Sequence, residues 1–116
     1  MRLDHIAVAC RDLAEGTRVV EAALGLTLEP GGRHDHFRTH NRLLNLGDLY
    51  LEVIAPEPGE GPGRPRWFGL DAPPDAPRLA TWLCAVPDLE AALAMAPPEA
   101  GTPVALRRGD LSWRFA

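Results

Sequence analysis

Two stretches of this chain echo each other at an offset of 76 residues: RLDHIAVACRDLAEG from Arg2 and RLATWLCAVPDLEAA from Arg78. Arg2-Leu3 recurs as Arg78-Leu79 and Asp12-Leu13 as Asp88-Leu89, with an apolar, strand-like run between each pair. Self-similarity of this kind marks a duplicated supersecondary unit, so the second copy is expected to be built like the first. The first copy can extend from Arg2 to about Pro58, whereas the second has only Arg78 to Ala116. The duplicate is therefore expected to lack its last strand, and the first copy to carry the function.

Each copy reads as strand, helix, then further strands. Leu3 to Cys10 is a short apolar run with β-compatible Ile6 and Val8, and from Asp12 the apolar spacing turns helical at Leu13, Val20, Ala23 and Leu24. Asp12 is placed as N-cap, Glu15 holds the capping-box position and Gly25 supplies a left-handed C-terminal cap. Leu26 to Glu29 reads as a second strand that Pro30-Gly31-Gly32 ends or bulges. Thr39 to Leu46 and Leu49 to Ala55 follow as strands joined by the two-residue turn Gly47-Asp48. From Pro56 to Pro77, 11 of 22 residues are Pro or Gly, so this stretch is a connector. The duplicate restarts at Leu79 to Val86, adds an Asp88-capped helix to about Ala96, and continues with strands at Pro103 to Arg107 and Leu111 to Phe115 around Gly109-Asp110. The expected class is α+β: paired βαβββ modules, module one about residues 2–58, a connector over 56–77 and an incomplete module two over 78–116.

Composition closes off several chemistries. The net charge is −4 with no basic cluster, which gives no footprint for nucleic acid. No apolar run approaches the length of a membrane span and Met1-Arg2-Leu3-Asp4 does not begin a signal peptide, so the expectation is a cytoplasmic protein of one domain. Cys10 and Cys84 stand alone in apolar runs and read as buried free thiols. All twelve basic residues are Arg, so no lysine is present for a Schiff base and covalent pyridoxal phosphate is excluded. Ser112 is the only serine and lacks the glycines of a nucleophile elbow. No glycine pattern for binding a nucleotide is present. His, Asp, Glu and Arg remain to carry any chemistry.

Strand parity selects among them. Leu3, His5 and Ala7 share one face of the first strand, and Tyr50, Glu52 and Ile54 oppose the aliphatic Leu51, Val53 and Ala55 on the last strand of the first copy. A lone carboxylate in so apolar a strand is costly to bury unless it pairs or binds a cation. If a right-handed crossover makes the first and fourth strands neighbours, His5 and Glu52 converge. A partly buried histidine bonded to a neighbouring strand is the competing reading of His5. His40 is a further candidate ligand whose face parity does not fix, while His34 and His36 read as solvated residues of an exposed turn. Asn41 and Arg42 could face a ligand, Arg42 as an anion clamp or simply as an exposed strand residue. Trp67 and Phe68 anchor the connector to the core or wall the site. Trp82, Trp113 and Phe115 are expected in core or module contacts.

LDHIAVACRDL, GGRHDHFRTHNRLLNLGDLYLEVIAPEP and PRWFGLD, taken with their joint spacing, resemble the glyoxalase-like branch of the vicinal oxygen chelate superfamily. The resemblance spans nearly the whole chain. It implies two βαβββ modules whose curved mixed sheets form a cup. It also implies one divalent ion (Zn, Ni, Fe or Mn) bound by a first-strand His and a last-strand Glu, positions that fall here on His5 and Glu52. Thr81 stands where the first copy has His5, and the strand that would supply another ligand is lacking. Three readings follow: a metal-dependent lyase or isomerase with Glu52 as catalytic proton carrier, a metal-free protein that binds or sequesters a small molecule, or a truncated domain without activity. In the first two, His40, Asn41, Arg42, Tyr50 and Trp67 would contact the small polar ligand. A homodimer would cover the open sheet edge.

Overall fold

A computed structural model describes all residues from Met1 to Ala116. The first copy forms β1 (Arg2–Ala9), α1 (Leu13–Leu24), β2 (Glu29–His34), β3 (Thr39–Asn45) and β4 (Tyr50–Pro56). The second forms β5 (Arg78–Ala85), α2 (Leu89–Ala94), β6 (Val104–Arg108) and β7 (Leu111–Phe115). No helix is long and apolar enough to cross a membrane.

Local chemistry accounts for the boundaries of α1. The Asp12 carboxylate accepts the Glu15 backbone N–H at 2.8 Å, satisfying one of the orphan donors at the helix start. At the other end Gly25 takes φ 66° and returns its N–H to the Glu21 carbonyl, a left-handed cap that a side chain would strain. Asp88 caps α2 in the same way through Ala91. The two copies thus share their strand-to-helix joint, as the repeat predicts.

Five strands make one sheet in the order β2-β3-β4-β1-β5, while β6 and β7 pair only with each other. β1 and β4 are parallel neighbours, with Ala7 opposite Glu52 and His5 opposite Tyr50. β3 lies antiparallel on the other side of β4, with Leu43 opposite Glu52 and Asn41 opposite Ile54. β5 runs antiparallel to β1 and forms the sheet's edge.

The sheet separates two apolar clusters. On one face α1 covers a cluster of Cys10, Val20, Leu28, Leu44, Val53 and Ala55. On the other, Ala9 and Ile54 pack against Leu70, with Trp67 and Phe68 alongside. Leu70, Trp67 and Phe68 all come from the connector, which buries itself more deeply than its Pro and Gly content suggests, with Leu70 fully enclosed.

The second copy is more open. No residue of α2 is buried. Trp82, expected in a core or module contact, is 68% exposed, and Cys84, expected to be buried, is exposed as well. The cause is common to both: β5 has a neighbour on one edge only, and no strand or helix packs over the outward face that carries Trp82.

Candidate functional site

Parity and register bring His5 and Glu52 together. Both side chains stand on the sheet face away from α1, and His5 Nε2 lies 3.5 Å from Glu52 Oε2. The His5 Nδ1 faces Asp4 Oδ2 at 2.8 Å, and its ring stacks on Tyr50 with centroids 4.4 Å apart. Glu52 is only 4% exposed, so its charge must be met from within the protein. Asn41 meets part of it, donating from Nδ2 to Oε1 at 2.6 Å.

His34 is the third member of the cluster, and it was not expected there. It ends β2, is buried, and directs Nε2 to 4.0 Å from Glu52 Oε1, while its Nδ1 contacts Thr39 Oγ1 at 3.1 Å. Trp67 donates its indole N–H to the same hydroxyl at 3.2 Å and sets its ring edge against the imidazole. The assignment of His34 to a solvated turn is therefore corrected; the turn begins one residue later and keeps His36, which meets Arg64 near the surface.

The Gly31-Gly32 pair accounts for the change. The β2–β3 pairing shifts register between Pro30 and Arg33, a bulge that carries His34 onto the Glu52 face. The Gly32 N–H donates to Asn41 Oδ1 at 2.7 Å, so the amide that holds Glu52 is itself held. A Cβ on Gly31 would collide with the Asn41 side chain and backbone, which makes the missing side chain a condition of this arrangement.

His40 and Arg42 lie elsewhere. They pair with Ala55 and Val53 on β4, and so stand on the α1 face of the sheet, opposite Glu52. Of the residues expected around a ligand, Asn41, Tyr50 and Trp67 line the cavity with His5 and Glu52, whereas His40 and Arg42 do not. Arg108 from β6 lines it too and had no signal in the sequence, because only the return of the second copy onto the first brings it there.

The two histidines are tuned in opposite directions. Burial alone would lower the His5 pKa, but hydrogen bonding and the charges of Glu52 and Asp4 outweigh it, and the net shift is upward. Burial dominates for His34 and lowers its pKa, with the Arg108 charge adding to the effect. The Tyr50 phenol is raised by burial and by the neighbouring carboxylates, so it is a neutral donor. Two imidazoles biased in opposite directions thus flank one buried carboxyl group, an arrangement that can give and take protons from a bound molecule.

As arranged, these groups do not form a metal cage. No group of three or more His, Cys, Asp or Glu side chains is placed to hold an ion. His5 and Glu52 alone fall short of the three protein ligands of a catalytic zinc site, and Asn41 occupies one oxygen of the carboxylate.

The cluster floors a cavity of about 1240 Å³ that extends from β1 and β4 to the facing edges of β5 and β7. Trp67 and Phe68 wall it, stacked at 5.1 Å, and Phe115 closes against both ring edges. No curated protein and no solved structure matches the chain. The family model described as a glyoxalase-like domain matches residues 3–116, which agrees with the mixed sheet and the cup. On that match over nearly its full length, the chain belongs to the glyoxalase-like domain family of the vicinal oxygen chelate superfamily.

Proposed function

We propose that the cup binds a small polar molecule on the His5–Glu52–His34 floor without a resident metal ion. The observation that carries this reading is the state of Glu52: a buried carboxylate bonded by Asn41 and flanked by two histidines at the base of a wide cavity. A carboxylate so supported can accept a hydrogen bond from a ligand hydroxyl, and a ring N–H of His5 can donate one to a ligand oxygen. Trp67 and Tyr50 supply flat apolar surface beside these groups, the usual division of labour in a small-molecule site.

The competing reading is a lyase or isomerase that uses a divalent ion on His5 and Glu52. Metal analysis of protein purified without chelator separates the two. We expect well under one equivalent of any divalent ion, and unchanged binding of a small diol or diamide probe after chelation. One equivalent per chain that disappears in His5→Ala would sink the metal-free reading. Glu52→Gln should weaken probe binding about tenfold, the scale of one hydrogen bond to a charged group.

A further inference from the structure

Six arginines are paired with carboxylates: Arg2, Arg11, Arg33, Arg38, Arg66 and Arg114. Two arginines line the cavity, Arg108 and Arg114, and Arg114 is engaged by Glu90 at 2.5 Å. Arg108 enters no ion pair and no side-chain hydrogen bond. A half-buried guanidinium carries five donors in a fixed fork, and leaving them without an acceptor beside a cavity is a standing preference for an anion.

The side chain is also held in place. It ends β6, which packs beside β2, and its stem crosses Gly32. A Cβ at Gly32 would stand 2.6 Å from Arg108 Cδ and 3.1 Å from Nη1, so the glycine leaves the groove in which the side chain lies. There it lines the same cavity as His34, Tyr50 and Glu52. The Glu52 charge is already met by His5 and Asn41, so the Arg108 charge is left for a ligand.

We propose that Arg108 is the anion anchor of the cup, and that the bound molecule is a small oxygen-rich acid whose carboxylate or phosphate sits on this guanidinium while its other oxygens face His5, Glu52 and His34. This rests on the small-molecule reading above and names the ligand's charge. Gly31-Gly32 then has a double role: Gly31 admits Asn41 to Glu52, and Gly32 admits Arg108 to the ligand.

The test is calorimetric titration of the full chain with oxalate, inorganic phosphate and oxamide, the neutral diamide of oxalate. We expect one of the two anions to bind, and Arg108→Ala to weaken it about ten- to a hundredfold while oxamide is unaffected. Arg108→Lys should recover part of the loss as a point charge, and Gly32→Ala, which leaves the guanidinium in the chain but displaces it, should weaken the anion alone. Which anion binds tells carboxylate from phosphate. Equal anion affinity in wild type and Arg108→Ala would overturn the anchor and leave the cup standing, as would binding of oxamide without either anion. Failure of all three probes to bind wild type would overturn both readings.

Discussion

Glu57 follows β4 and shows what a buried carboxylate looks like when its partner is within the protein. Its side chain is 7% exposed, and Arg33 grips both oxygens, at 2.6 Å from Nη2 and 3.0 Å from Nε, with Arg38 further out at 3.9 Å. Hydrogen bonding and charge from Arg33 hold the Glu57 pKa below its ordinary 4.5 against the opposing effect of burial. A carboxyl whose pKa is lower folded than unfolded stabilises the fold above the unfolded value, and this contribution is lost as pH falls through the folded one. Because the Arg33 side chain is 63% exposed, solvent screens the pair, and Glu57→Gln should cost about 1–2 kcal/mol near neutral pH. Denaturant melts at neutral pH and at about pH 3 check this: the gap between wild type and variant should close on acidification. A gap of constant size would mean that Glu57 acts by shape and not by charge. Glu52 has no arginine in its ion-pair shell, only the two histidines, and the ligand role proposed for it rests on this contrast with Glu57.

At the scale of elements, close approach is governed by glycines. Gly16 lies on the buried side of α1, where an added Cβ would overlap the Cys10 sulfur and come within 3.1 Å of Val53 Cγ1. The helix sits directly on the end of β1, and Cys10 is trapped there with its thiol donating to the Ile54 carbonyl at 3.4 Å and its pKa pushed up by burial to about 11. Gly16→Ala should therefore destabilise the fold by about 1–3 kcal/mol despite the better helix propensity of alanine, and Cys10→Ala in the same chain should return part of the loss. Thermal melts of the single and double variants decide it; independent, additive effects would rule out the contact. These approaches also mark how far the sequence could be read. The His5–Glu52 convergence was legible because two alternating strands and one crossover determine it. His34 was not, because a bulge adds a residue that no period reveals, and the glycines at 31 and 32 fit a turn equally well. His40 was a candidate because its strand lies close to Glu52, and Asn41 and Arg42 because they adjoin His40, yet on a strand adjacent residues face opposite ways, and only Asn41 turns to Glu52.

For the whole molecule, the repeat explains both the fold and its open side. In the first copy β4 lies between β1, to which it is parallel, and β3, to which it is antiparallel. The corresponding strands of the second copy are β5 and β7, and no strand pairs with the open edge of either. This is why β6 and β7 form an isolated hairpin, legible from the order of the elements, and why the cavity extends between β5 and β7, which was not. β5 presents unpaired backbone groups together with Leu79 at 63% and Trp82 at 68% exposure, and it carries neither proline nor lysine to discourage pairing. Two copies joined along β5 would satisfy both edges and cover both tryptophans, an arrangement of the self-complementary kind expected of a two-fold dimer. Sedimentation velocity over a broad concentration range should show reversible self-association, and Trp82→Lys, at the exposed edge residue, should shift it towards monomer. A wild-type chain that stays monomeric throughout would show that the β5 edge protects itself.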